Sequence, residues 1–257
     1  MEGKLMLDAD YQEFINCAPN ILGDVIHKLS APLVACKTQE FEDSKYRLAF
    51  IGQETLEWNA KHKSEGIKKE RFCLKDWMDC PDAVSQLARN YMKFDFAEKC
   101  SNKSSPFWRA QREILKLLGE DYRACLWTNL FKVSALRQNG GSASIIKSLN
   151  ENQMQSVLRW QGNLLSREIA AAECKVVWFA TGPSYDSVIE AAFDNVKFEK
   201  IENEFNFGAR EFARLCHPEL PKLTFRTYHP RYLQTKSCKM AAFLAKLIRE
   251  KTNDHRH

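Results

Sequence analysis

The sequence holds no pair of cysteines spaced C-x-x-C, no apolar run of membrane-spanning length, no internal repeat and no low-complexity tail. Each absence excludes something. The nine cysteines, at 17, 36, 73, 80, 100, 125, 174, 216 and 238, form an odd and irregular set. Such a set reads as reduced thiols of a cytosolic protein, not as a disulfide framework. With neither ligand spacing nor a histidine cluster, no metal, iron–sulfur cluster or other cofactor is expected. The opening stretch MEGKLMLDAD lacks the apolar core of a signal peptide, so neither export nor a membrane partner is expected. Charge of one sign is scarce too: 38 Lys and Arg against 33 Asp and Glu give a net +5. That surplus permits a polyanionic partner without demanding one.

What is there is a chain of 257 residues, 44% hydrophobic and 28% charged, long enough to bury a sizeable core in one α/β domain. We read a single domain over 1–257, with a helical extension at 1–44 and a helical and loop insertion at 59–104. Four short runs look like buried strands: RLAFIG (47–52), ACLWTNL (124–130), KVVWFAT (175–181) and LTFRTYH (223–229). Between them lie helical patterns at 11–29 (interrupted at Pro19), 83–99, 106–118, 150–174 and 183–193, with another at 237–251. Ser104-Ser105 before Pro106 and Gly119 after Leu118 are start and stop signals for the third of these. The charged stretch 59–71 reads as a loop or lid, and 137–148, with Gly140-Gly141, as a flexible connection.

Strands alternating with helices predict crossover connections, hence a three-layer α/β/α arrangement around a four-stranded, mainly parallel sheet. In such sheets function collects outside the carboxyl ends of the strands. Those ends carry Gln53-Glu54, Thr128-Asn129, Gly182-Pro183-Ser184 and His229-Pro230. A carboxylate, an amide, a helix amino terminus and an imidazole would thus share one edge.

Four segments on these ends, in order, resemble the uracil-DNA glycosylase superfamily, whose core is a four-stranded parallel sheet between helices. Gly52-Gln53-Glu54-Thr55 resembles a first motif that reads G-Q-D-P-Y in one branch. Trp127-Thr128-Asn129-Leu130-Phe131-Lys132 is similar to the second-strand segment ending in asparagine. Thr181-Gly182-Pro183-Ser184 is similar to the family's glycine turn. Thr227-Tyr228-His229-Pro230-Arg231-Tyr232-Leu233 resembles the last motif, H-P-x-x-L. The resemblance covers roughly residues 45–250 in order and spacing.

It implies a monofunctional DNA glycosylase without cofactor, acting on a flipped-out pyrimidine. Breaking the C1′–N bond develops positive charge on the sugar and negative charge on the base. A carboxylate is needed near the first and donors near the second. Glu54 stands where the family's aspartate serves the sugar and the water, and His229 where its histidine donates to a base carbonyl. Asn129 matches the asparagine that reads the Watson–Crick edge; its amide suits uracil or, turned over, cytosine. Gly52, Gln53, Thr55 and Leu56 would complete the substrate side. Leu233 matches the leucine inserted into the base stack, with Tyr232 beside it as a second wedge. Ser105, Gly182, Pro183, Ser184 and Arg231 would meet DNA phosphates.

The departures point further. Thr55 replaces a proline, and Leu56 stands where the family has a tyrosine that excludes 5-substituted pyrimidines. We therefore expect a substrate such as a bulky 5-modified cytosine in foreign or viral DNA. Uracil excision in repair, a catalytically inactive DNA-binding protein of the same fold, and a hydrolase of free nucleosides remain open. Taken singly, Glu54, Asn129 and His229 each have ordinary structural roles, as a cap, a strand-end turn and a turn histidine. Phe107, Trp108, Trp127 and Trp178 read as core, and Lys132 has no evident partner.

Overall fold

The computed structural model describes residues 4–55, 73–137, 141–202, 204–233 and 236–253. Leu56, Phe72 and the charged stretch 59–71 lie outside these. Six strands form the central sheet: β1 (Leu48–Gly52), β2 (Cys125–Asn129), β3 (Val176–Phe179), β4 (Lys197–Glu199), β5 (Phe212–Cys216) and β6 (Leu223–Thr227). Their order is β2-β1-β3-β6-β5-β4. The first four are mutually parallel, while β5 and β4 add on antiparallel.

The four expected strands are thus present, and the sheet of four becomes a sheet of six. β1, β2 and β3 are buried at every position, as unbroken apolar runs covered on both faces should be. The two strands the sequence does not signal are short: β4 has three residues, mostly exposed at the edge, and β5 has five.

Among the described residues seven helices of seven or more residues accompany the sheet: α1 (Asp8–Leu22), α2 (Ala83–Phe94), α3 (Pro106–Leu118), α4 (Glu151–Gln161), α5 (Leu164–Ala171), α6 (Asp186–Ala192) and α7 (Lys236–Asn253). α3 has the bounds its signals predict: Ser105 accepts the Trp108 N–H, and Gly119 closes the helix at φ 78°. Elsewhere the breaks move. α1 runs through Pro19 to Leu22. The pattern at 150–174 is two helices, because Gly162 at φ 49° interrupts it. α2 stops at Phe94, where Asp95, Phe96 and Ala97 all take left-handed φ values, which non-glycine residues adopt only when the surroundings impose them.

Alternate residues of β2 meet helices on opposite sides. Trp127 stacks with Tyr91 of α2 and meets Trp108 of α3 edge-on. Thr128 hydrogen-bonds Glu168 of α5 at 2.8 Å. Buried side chains of the 1–44 and 73–104 segments, such as Tyr11, Phe41, Trp77 and Leu87, belong to the same apolar cluster as the sheet. No helix among the described residues is long and apolar enough to cross a membrane.

One polar network lies inside this core. Glu168, fully buried, accepts from Tyr11 Oη at 2.6 Å through one oxygen and from Thr128 Oγ1 at 2.8 Å through the other. Lys132 Nζ reaches the second oxygen at 2.5 Å. Lys132 therefore has a partner after all, and a buried one. Burial pulls its pKa down, opposed by the Glu168 charge. Tyr11 in turn accepts the Ala35 N–H at 3.0 Å. Removing one member of a buried pair strands the other. Glu168→Leu should therefore cost about 3–5 kcal/mol in urea unfolding, and Lys132→Met with Glu168→Leu should recover much of it. A single-variant cost of about 1 kcal/mol or less would show that the pair does not carry the packing.

Candidate functional site

The parallel pairing brings the strand ends into line. Gly52 at the end of β1 sits opposite Asn129 at the end of β2. Ala180, following β3, donates its N–H to the Ile51 carbonyl, and Gly182 donates its N–H to the Thr227 carbonyl of β6 at 2.8 Å. The edge predicted to carry function is thus continuous from Asn129 to His229.

Asn129 lies across Gly52. A Cβ on that glycine would fall 2.2 Å from Asn129 Oδ1 and 3.1 Å from the Phe107 ring, so only a bare backbone admits both. Asn129 is 1% exposed, yet its amide nitrogen has no hydrogen-bond partner. Thr181 Oγ1, two strands over, is buried and unpartnered as well. Each orphaned group costs about 1–3 kcal/mol, and native interiors leave few of them.

Phe107, in the first turn of α3, closes this face. Its ring packs 4.4 Å from Phe50 and lies nearly parallel to the His229 imidazole, 5.9 Å away at 15°. His229 Nδ1 accepts the Arg231 N–H at 3.2 Å. In a neutral ring that leaves Nε2 as the donor. Burial, then the Arg231 charge, lowers the His229 pKa to about 4, so the imidazole is neutral at pH 7. Gly182 is required by its φ of 82°, which side-chain-bearing residues rarely adopt; a Cβ there would make only ordinary contacts, 3.5 Å from the His229 backbone nitrogen and 3.6 Å from the Tyr228 ring.

Glu54 is 7% exposed and held by three protein donors. Its Oε1 accepts from Tyr185 Oη at 2.6 Å and Ser144 Oγ at 2.7 Å; its Oε2 accepts the Ile145 N–H at 2.9 Å. Burial raises its pKa, while the three hydrogen bonds and nearby Lys147 pull the other way. The segment read as a flexible connection therefore has a definite task. Ser142–Ala143 pairs with Ala135–Leu136, and the short helix Ile145–Ser148 presents its first N–H to Glu54. Glu54 and His229 do not touch. They are joined through aromatic neighbours: Tyr232 lies edge-on to His229 at 6.4 Å and close enough to Tyr185 to raise its pKa further.

Several expected residues serve elsewhere. Leu233 is 4% exposed and part of the core, because the turn Pro230–Leu233 packs on α3 and directs that side chain inward. It is not a wedge. Its neighbour Tyr232, about 100° around the turn, is 69% exposed. Thr55 is buried in a hydroxyl trio with Ser30 and Ser134, at 3.2 and 3.3 Å. Gln53 donates to the Thr181 carbonyl at 2.6 Å, tying β1 to the turn after β3. Ser105 caps α3, and Ser184 is exposed beside the half-buried Pro183. The Asp186 carboxylate stands in the first turn of α6, paired with Arg226 at 2.9 Å, which works against a phosphate there. Leu56 lies outside the described residues. Phe107, Tyr185 and Ser144 went unforeseen as site residues; only Tyr185, close behind the glycine turn, carried any sequence signal.

Among the described residues no three His, Cys, Asp or Glu side chains gather to hold a metal ion. A broad hollow of about 550 Å³ runs along the outer face of α1, and a cavity of about 10 Å³ lies beneath Lys132; the strand-end residues line neither. Compared with models of known protein families and with curated proteins, the chain matches no family model and no curated protein.

Two outcomes test this geometry. Gly52→Ala should lower stability by about 1–3 kcal/mol through overpacking and displace the Asn129 amide, read from thermal unfolding and the Asn129 side-chain NMR resonances. His229 should titrate near 4, and Arg231→Gln should move that value upward. Between about 4 and 6.5 the unfolded chain binds the extra proton, so this imidazole makes stability rise with pH across that window. An imidazole titrating near 6.5 in an NMR series would refute the burial.

Proposed function

We propose that the protein is a monofunctional DNA glycosylase that hydrolyses the N-glycosidic bond of a pyrimidine turned out of the helix. One observation carries the reading: a buried Asn129 amide with no partner, set over a bare Gly52, with the Phe107 ring lying against that glycine on one side and facing the neutral His229 ring on the other. An amide at the end of β2 and an imidazole N–H after β6, on the same edge of the sheet with the ends of β1 and β3 between them, are the kinds of group needed to read a pyrimidine edge and to receive charge on the leaving base. The parallel block β2-β1-β3-β6, with helices against both sides of β2, is what the three-layer uracil-DNA glycosylase resemblance implies.

In this scheme Glu54 directs the attacking water and offsets positive charge on the sugar, and His229 donates through Nε2 to a base oxygen. Phe107 offers a ring face to the base. Tyr232, the exposed aromatic, fills the vacated stack in place of Leu233. Room for the base requires Tyr232 to shift, an ordinary adjustment on binding. The substrate class remains the 5-modified cytosine suggested by Leu56, with uracil as the alternative. No cofactor takes part, and the setting is the cytoplasm, with DNA as the partner.

The decisive experiment measures base release from uracil DNA and from 5-modified cytosine DNA in parallel. Release should fall roughly 10²–10⁴-fold in Glu54→Ala and in His229→Ala. Robust release of uracil alone would remove the modified-base version. No release from any substrate would remove the enzyme.

A second reading has its own observation. Three protein donors already hold the Glu54 carboxylate, as they would if Glu54 were a structural cap in a DNA-binding protein without catalysis. Glu54→Gln separates the two. A catalytic carboxylate predicts base release by the wild-type protein that the variant loses, beside the stability cost of its three buried hydrogen bonds. A cap predicts lower thermal stability and unchanged, salt-dependent DNA affinity.

A further inference from the structure

The turn between β3 and α6 brings a phenol to the carboxylate on which that reaction would depend. Tyr185 is buried, and its hydroxyl is shared between Glu54 Oε1 at 2.6 Å and Ser144 Oγ at 3.3 Å; Ser144 itself lies 2.7 Å from Oε1. The three oxygens form a closed triangle contributed by three separate segments. An ionised carboxylate has about four lone-pair positions. Two on Oε1 are occupied by hydroxyls and one on Oε2 by the Ile145 N–H. One position, on Oε2, is left.

We infer that Tyr185 is a positioning residue: with Ser144 it saturates Oε1, fixes the plane of the Glu54 carboxylate and leaves Oε2 as the atom that directs water. This rests on the glycosylase reading for its chemistry, though not for its geometry. A phenol without a hydrogen-bond acceptor in a buried setting would be unfavourable, and a carboxylate without donors would take up a proton. Each removes the other's penalty. The charged and titratable groups facing the pair are Lys147, on the short helix behind Glu54, and Tyr232, which faces Tyr185 from the turn after β6. Lys147 favours the carboxylate anion, as does the Tyr185 hydrogen bond. Losing the phenol hydroxyl should therefore leave Glu54 easier to protonate.

The test follows the Glu54 side-chain carboxyl by ¹³C NMR across pH in the full chain, with Glu54→Gln to assign the signal. A pH–rate profile of base release is measured beside it. In Tyr185→Phe the Glu54 titration should move up by about one pH unit. The acid limb of the rate profile should move with it, and the thermal midpoint should change little. Ser144→Ala should shift both in the same direction and stands in should Tyr185→Phe fail to fold. A Glu54 titration unmoved in both variants overturns the inference, as does a shifted titration with an unshifted acid limb. Wild-type protein that releases no base would overturn the glycosylase reading alone, since the carboxyl titration decides the role of Tyr185 independently.

Discussion

A carboxylate with no exposure to water, Glu168, is the constraint on which the arrangement depends. It ties α5 to Tyr11 of α1, Thr128 of β2 and Lys132 of the segment after β2. A buried charge is tolerable only where its partners stay put, so these elements cannot drift independently. Lys132 extends the linkage by backbone: its carbonyl accepts from Leu33 at 2.7 Å, and its N–H is held by Gln161 at 2.5 Å. Two residues later Ser134 joins Ser30 and Thr55. The polar chain thus ends one residue from Glu54.

The strand-end group combines rigidity below with unfinished hydrogen bonding above. Glycine at position 52 lets an amide lie where any side chain would clash, and glycine at 182 supplies the left-handed turn that leads out of β3. The Asn129 nitrogen and the Thr181 hydroxyl are buried polar groups left without a partner. Glu54 differs: its partners are already supplied by the protein, which orients it at the expense of free acceptor positions. Gln111 Oε1, on α3, is a further buried polar atom without a partner, so what sets the strand ends apart is that two such groups share one edge of the sheet.

The sequence was most readable where a signal depends on neighbours a few residues away. α3 between Ser105 and Gly119 needed only a cap, a proline and a glycine, and the four central strands only their apolar runs. Glu54, Asn129 and His229 were picked out because parallel strands deliver their ends to one edge, which is a rule of topology. Leu233 misled because one helical turn decides which of two adjacent side chains faces inward, and only the contact with α3 chooses. The edge strand β4 has three residues and β5, between β6 and β4, has five, and segments that short carry almost no period.

By itself, then, the sequence determined the alternation of strands and helices, the absence of a spanning helix among the described residues and the polar residues at the strand ends, since these follow from local composition and period. Tertiary structure alone decided that Lys132 pairs with Glu168, that Ser144 and Tyr185 hold Glu54, that Phe107 lies against His229 and that Tyr232, not Leu233, faces outward. Those contacts join residues up to about 130 positions apart, and no pattern along the chain encodes a distance that only folding creates.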